Sequence, residues 1–140
     1  MSTLLLILPP TLPGPHTSFD YLVSPDGHQI ERQGNAAPAL LPTPGRAGEA
    51  VAVVPAQALS WQRVTLPQNL PLGNTPRLRA VLEGLLEDRL LDDPAQLHFA
   101  LQPGARAGEA AWVAVCDRAW LQQHLQVLEA AGRPVARVVP

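Results

Sequence analysis

Hydrophobic and polar positions along this chain fall into short units, and sixteen prolines mark their ends. Proline fixes φ and lacks an N–H, so each one tends to sit at an element boundary. Thr3–Leu8 is a continuous apolar run, the pattern of a strand covered on both faces. Phe19–Ser24 and His28–Gln33 flank Pro25-Asp26-Gly27. Proline presets such a turn and glycine accepts positive φ, so a hairpin is predicted there. Residues 34–48 are rich in Ala, Pro and Gly and predict a loop, and Glu49–Val54 predicts another apolar strand, closed by Pro55.

The second half is more regular. Trp61–Leu66 sets Trp61, Arg63 and Thr65 against Gln62, Val64 and Leu66; both sets mix polar and apolar side chains, so the strand rests on β-forming residues and on Pro67 behind it. Thr75-Pro76 predicts a helix start, with Thr75 as N-cap and proline in the first helical position. Leu78, Val81, Leu82, Leu85, Leu86 and Leu90 recur at helical spacing and predict a helix over 75–91. Leu97–Gln102 and Ala111–Cys116 predict strands joined by a Gly-rich loop, residues 103–109. Asp117 then caps a second helix carrying Trp120, Leu121, Leu125 and Leu128. Gly132 stands at its C′ position with Pro134 beyond, and Val135–Val139 predicts a last strand. Residues 61–139 therefore read strand, helix, strand, strand, helix, strand, the split βαβ order of ferredoxin-like domains. Residues 1–54 read as three or four strands with no evident helix, and no internal repeat is visible.

Length and composition narrow the possible functions. A chain of 140 residues with 46% apolar positions, 23 of them Leu, can bury a core. A net charge of −2 argues against nucleic acid, whose binders need a basic face to displace counterions. All ten basic residues are Arg, which removes Schiff-base and P-loop lysine chemistry. One cysteine, Cys116, excludes an internal disulfide framework and a Cys-only zinc site. The apolar start, residues 1–8, is too short to span a bilayer and lacks a basic n-region. The chain stops directly after a strand pattern, so we expect an N-terminal piece of a longer protein.

Few residues have a pattern that implies chemistry. Glu83, Glu87, Asp88, Asp92 and Asp93 form an acidic group, and Glu83 and Glu87, four apart, share a helix face. Two such carboxylates could hold a divalent cation or divide acid and base roles; a solvated helix face interleaved with Arg79 and Arg89 is the preferred reading. His16, His28, His98 and His124 are scattered, with no HExxH or HxxxH pair, and read as surface or partly packed side chains. Cys116-Asp117 lies at a strand-to-helix junction, where a helix N-terminus could lower a thiol pKa; a small core residue is the preferred alternative. Pro13-Gly14-Pro15 and Gly45-Arg46-Ala47-Gly48 match no phosphate-binding loop, and proline removes the donors such a nest needs. Trp61, Trp112 and Trp120 are too few for a base-stacking platform and read as core packing.

Trp61-Gln62-Arg63-Val64-Thr65-Leu66-Pro67, preceded by Val51-Ala52-Val53-Val54-Pro55, resembles the "vvVP … SWxRVxLP" pattern of the type II secretion system L protein family (GspL). Residues 78–94, with their Leu91-Asp92-Asp93-Pro94 ending, and the strand–helix unit Trp112 to Gly132 are similar to the same family. The likeness runs over essentially the whole chain and is most specific between residues 51 and 120. It implies an α/β (α+β) protein: a partial actin-like, ribonuclease H-like sheet with an inserted small βαββα(β) subdomain, related to the pilus-assembly M protein. Residues 1–54 would begin the actin-like subdomain, 55–132 would form the insert, and 133–140 would return toward the first sheet, so two readings compete for the last strand.

The resemblance further implies a non-enzymatic scaffold on the cytoplasmic side of the bacterial inner membrane. Such a scaffold docks the secretion ATPase (GspE) and acts with GspM through regions beyond this chain. It requires no cofactor and no metal, touches the membrane only through a transmembrane helix not found in this sequence, and leaves a homodimer open. The alternative is an actin-like nucleotide-binding assembly protein of the pilus-assembly M type. Against that alternative, Leu8 is followed by Pro9-Pro10-Thr11-Leu12-Pro13-Gly14-Pro15 where actin-like ATPases carry an Asp-x-Gly phosphate loop. For a docking surface the sequence offers Arg79, Glu83, Glu87 and Asp88 on the polar face of helix 75–91, or an unpaired strand edge.

Overall fold

A computed structural model describes residues 2–45 and 48–140; Arg46 and Ala47, the middle of the Gly45–Gly48 loop, lie outside the described residues, as does Met1. The chain forms two compact units. Unit 1 comprises Met1–Ala58 and Trp120–Pro140, and unit 2 comprises Leu59–Ala119.

Unit 1 is built on strands β1 (Thr3–Ile7), β2 (Phe19–Ser24), β3 (Arg32–Ala36), β4 (Glu49–Val53) and β8 (Arg137–Val139), in the order β3-β2-β1-β4-β8. β1, β2 and β3 are antiparallel neighbours, whereas β1, β4 and β8 run parallel. Leu4 and Leu6 of β1 and Ala50 and Ala52 of β4 are buried on one face, and Phe19 and Val23 of β2 join them there. Helix α2 (Arg118–Ala130) supplies Leu121, His124 and Leu128 to the same core from Trp120 onward. Its end is a Schellman motif: Gly132 adopts φ 77°, the Gly132 N–H donates to Glu129 O, and the Arg133 N–H donates to Leu128 O.

Unit 2 is a three-stranded antiparallel sheet, β5 (Ser60–Thr65), β7 (Ala110–Asp117) and β6 (Leu97–Leu101), in the order β5-β7-β6. Helix α1 (Thr75–Leu86) covers one face. Val64, Val113 and Val115 from the sheet and Leu82 and Leu86 from the helix form its core, completed by Leu66, Leu70 and Leu97.

Four predicted boundaries move, each for a local reason. The hairpin strand expected at 28–33 begins at Arg32. Asp26 accepts from the N–H groups of His28 and Gln29, and Ser24 Oγ accepts from the Gly27 N–H, so those donors serve a wide turn rather than a ladder. The loop expected over 34–48 is a strand as far as Ala36 and then a 3-10 turn over Pro38–Leu40. Helix α1 ends at Leu86 and not at 91; Asp93 is extended before Pro94, as a residue preceding proline must be. Its N-cap is Asn74, whose side chain accepts from the Arg77 N–H, and Thr75 lies inside the helix.

The ferredoxin-like order over 61–139 does not form. The last strand pairs with β4, with Val51, Ala52 and Val53 opposite Arg137, Val138 and Val139. Buried, parallel β4 accepts a neighbour on its open side; three-stranded β5-β7-β6 does not receive this strand. The expected limit of the insert at 132 likewise differs from the unit boundary at Ala119, because Trp120 and His124 engage Pro9 and Thr11 of unit 1.

Candidate functional site

Of the four residues expected to form a docking surface, Arg79 and Glu83 stand on α1 and Glu87 and Asp88 lie at and just past its end, and the structure separates their roles. The Arg79 guanidinium donates to Pro94 O at 3.0 Å and to Leu97 O at 2.8 Å. It also pairs with Glu83 at 3.0 Å and lies over the Phe99 ring at 5.0 Å. Arg79 therefore fastens α1 to the start of β6, with its guanidinium engaged by four partners inside unit 2. Glu83 is held by it across one helical turn. Glu87 is the helix C-cap, Asp88 follows it in the turn, and both are exposed.

The other candidates resolve individually. Cys116 lies within β7, and burial, followed by the neighbouring Asp117 charge, pushes its thiol up to about 11. That is opposite in direction to an activated nucleophile. Asp93 caps the 3-10 turn Pro94–Gln96 by accepting from the Ala95 N–H. Among the described residues no group of three or more His, Cys, Asp or Glu side chains gathers at metal spacing. His16 and His28 are exposed; His98 is lowered by burial and by the charges of Arg79 and Arg118.

His124 is fully buried, edge-on to Phe19 and Trp120 at 5.6 and 5.3 Å. Its Nε2 is 2.7 Å from Thr11 O. A carbonyl only accepts, so Nε2 carries a proton and donates to it. Nδ1 has no partner among the described residues, and burial lowers the pKa against the opposing Thr11 bond. Trp120 Nε1 donates to Pro9 O and Thr11 O. The proline segment after β1 is thus anchored by its carbonyls to α2, leaving Leu12 59% exposed. Unsatisfied backbone donors, which an anion site needs, are scarce in it: Pro9, Pro10, Pro13 and Pro15 have none, and the Gly14 N–H donates to Thr17 Oγ1.

The surface that sequence reading missed is the second face of the unit 2 sheet. Trp61 and Trp112, expected in the core, are 49% and 41% exposed. Trp61 pairs with Ala114 and Arg63 with Trp112, so all four share the face opposite α1. The Arg63 guanidinium lies 5.3 Å from the Trp112 ring centroid. The available signal was parity: Trp61 and Arg63 alternate with Val64 and Leu66, the residues that face α1. The pattern did not say which parity is buried, because both sets mix polar and apolar side chains, Trp61 with Arg63 and Thr65, Val64 and Leu66 with Gln62.

With unit 1 so arranged, an antiparallel triplet extended by parallel strands in the order β3-β2-β1-β4-β8, the fold is of the actin-like α/β class. Residues 15–140 match the model of the type II secretion system (T2SS) protein L family. The chain belongs to that family. It is 38% identical over 71 residues to the type II secretion system protein L of Vibrio cholerae serotype O1, a stretch covering 51% of this chain and 17% of that protein. Among solved structures it is similar to the cytoplasmic domain of EpsL, an inner membrane component of the type II secretion system of Vibrio cholerae. The TM-score is 0.68 at 25% identity, over 100% of this chain and 57% of the other. It also resembles a PilM-PilN type IV pilus biogenesis complex in fold, with a TM-score of 0.58 at 16% identity, over 98% of this chain and 46% of that one. The chain thus spans little more than half of the EpsL domain and matches less than a fifth of the curated relative.

Proposed function

We propose that this chain serves as a non-enzymatic scaffold at the cytoplasmic side of the bacterial inner membrane, where it docks the secretion ATPase (GspE) for the type II secretion system. The observation that carries the reading is the family match over residues 15–140, together with full-length coverage by the cytoplasmic domain of an inner-membrane component. The proline segment after β1 supports a scaffold over a nucleotide-dependent machine. Its carbonyls are occupied by Trp120 and His124, four of its residues lack an N–H, and no carboxylate stands in it to hold a metal–nucleotide complex. The relation to GspM and to the membrane belongs to regions beyond this chain. Among the described residues no helix is long and apolar enough to cross a bilayer.

For the docking surface we propose Glu83 of α1 with Glu87 and Asp88 at its C-terminal end, Arg79 setting Glu83 in place. Exposed carboxylates of this kind steer a basic partner and contribute mainly to association rate. Calorimetric titration of the chain with the N-terminal domain of the cognate ATPase tests the proposal. Saturable binding unchanged by Mg-ATP is expected, and Glu87→Arg with Asp88→Arg should weaken it about tenfold, more at low salt. Uptake of Mg-ATP by the chain itself, without ATPase binding, would replace the scaffold with the nucleotide-binding alternative.

A further inference from the structure

Asp26–Gly27 is the one place in the sequence where glycine follows an Asp or an Asn. Such a pair can cyclise. The Gly27 amide nitrogen attacks the Asp26 carboxyl carbon, a C–N bond forms, and the carboxyl hydroxyl leaves with the amide proton as water. Water then opens the five-membered succinimide. Opening at Cγ restores Asp26. Opening at the backbone carbonyl leaves the chain running through Cβ and Cγ, as isoaspartate with a free α-carboxylate. Water is the only co-reactant. Glycine favours the step because it has no Cβ to shield its nitrogen, and nothing else lies within 4 Å of where that Cβ would stand. Asp26 and Gly27 are both exposed, so water reaches them.

The turn between β2 and β3 occupies each reacting group. The Gly27 N–H donates to Ser24 Oγ at 2.8 Å. Asp26 Oδ1 accepts from the His28 N–H at 2.8 Å and from the Gln29 N–H at 2.9 Å, and Ser24 Oγ stands 3.4 Å from the same oxygen. The Gln29 donor first, and the His28 donor next, hold the Asp26 carboxyl below its ordinary range, so the protonated acid that can lose hydroxyl is scarce. Cyclisation must therefore break the Gly27–Ser24 bond and turn the carboxyl away from two N–H groups. Ser24 can hold its end because it belongs to β2, is buried, and pairs with Thr3 of β1. The hydroxyl is placed by the sheet, and the reactive pair hangs from it.

We propose that Asp26–Gly27 is a spontaneous modification site, held closed by the folded turn with Ser24 as the positioning residue, and that isoaspartate forms there when the turn opens. The product carries the α-carboxylate that S-adenosylmethionine-dependent isoaspartate methyltransferases esterify, which defines the class of enzyme that would act on it. The structural effect is local. One extra backbone carbon removes the Asp26 caps on His28 and Gln29 and shifts the turn that Glu31 closes by donating to Val23 O. β3 is an edge strand, so its pairing loosens while β1 and β4 keep their neighbours. The site is independent of the ATPase-docking reading and survives its failure.

Ageing the full chain at neutral pH and physiological temperature, in buffer and in urea, tests the site. Isoaspartate is read by methyl transfer from S-adenosylmethionine with an isoaspartate methyltransferase and located by peptide mass spectrometry. Slow accumulation in buffer and fast accumulation in urea, both at residue 26, are expected. Ser24→Ala should raise the rate in buffer about fivefold, the effect of losing one neutral hydrogen bond, and leave the rate in urea unchanged. Asp26→Asn cyclises with loss of ammonia and needs no protonated acid, so it reports the geometry of the turn alone and leaves Ser24 in place. Its ammonia release should also be slower in buffer than in urea. Equal rates in buffer and urea, isoaspartate forming in urea first at a residue other than 26, or Ser24→Ala ageing at the original rate overturns the proposal.

Discussion

His124 shows how much a single side chain can hold in place. Between Phe19 and Trp120 it fills core volume, through Nε2 it holds Thr11, and its Nδ1 faces no donor among the described residues. Protonating it would bury a charge with nothing to receive the second N–H. Its folded pKa is lowered, and so is that of His98, each mainly by burial. With a depressed folded pKa, the unfolded chain binds more protons than the folded one as pH falls below about 6.5, so stability is lost over that window and is full above it. The urea midpoint should therefore drop from about pH 7.5 to about pH 5. His124→Phe, which keeps the ring contacts and loses the Thr11 bond, should be less stable at neutral pH by about 1 kcal/mol, with a shallower dependence on pH. An unchanged slope in that variant would show that the titration lies elsewhere. None of this was legible in sequence, where His124 was one of four scattered histidines; its burial comes from the docking of α2 on β2.

At the scale of elements, the chain's punctuation was readable and its exact use was not. The prolines and glycines located every strand within a few residues, and Gly132 with Pro134 located the end of α2, because those signals act through local φ and N–H chemistry. The start of α1 shows the limit. Thr75 was the predicted N-cap, and the structure places the cap one residue earlier at Asn74, whose Oδ1 is 3.2 Å from the Arg77 nitrogen. Asn74→Ala should cost about 1 kcal/mol and speed amide exchange in the first turn of α1, whereas Thr75→Ala should cost only a few tenths of that. Equal costs for the two would contradict the assigned cap. The far end of α1 was overextended for a related reason: Leu90 fits the helical repeat, but it reaches the core from a turn. Periodicity records which side chains are buried and is silent on whether the backbone between them stays helical.

At the scale of the whole chain, the decisive event is the return of β8 to β4. Eighty-odd residues separate the partners, among them the whole of unit 2. Two interactions mark the junction and differ in weight. The Arg137–Glu49 ion pair, at 2.8 Å, is exposed on the Arg137 side, and Arg137→Ala should change stability by no more than about 0.5 kcal/mol. Removing residues 137–140 instead leaves one edge of β4 unpaired beside a buried core, with the Val54 N–H also losing Val139 O. That truncation should cost several-fold more in urea unfolding and expose the amides of residues 51–53 to exchange, and equal effects from the two changes would refute this ranking.

The sequence by itself determined the α/β class, the positions of the strands and both helices, and enough of a family pattern to place the chain in the protein L family. These depend on local dihedral preferences and on residue identities that survive without neighbours. Tertiary structure alone decided which sheet owns the last strand, which parity of β5 is buried, and that Arg79 is used internally while Trp61 and Trp112 face solvent. Each of those depends on a partner distant in sequence, and a one-residue pattern with a polar and an apolar member on both sides of a strand carries no information about which side that partner will cover.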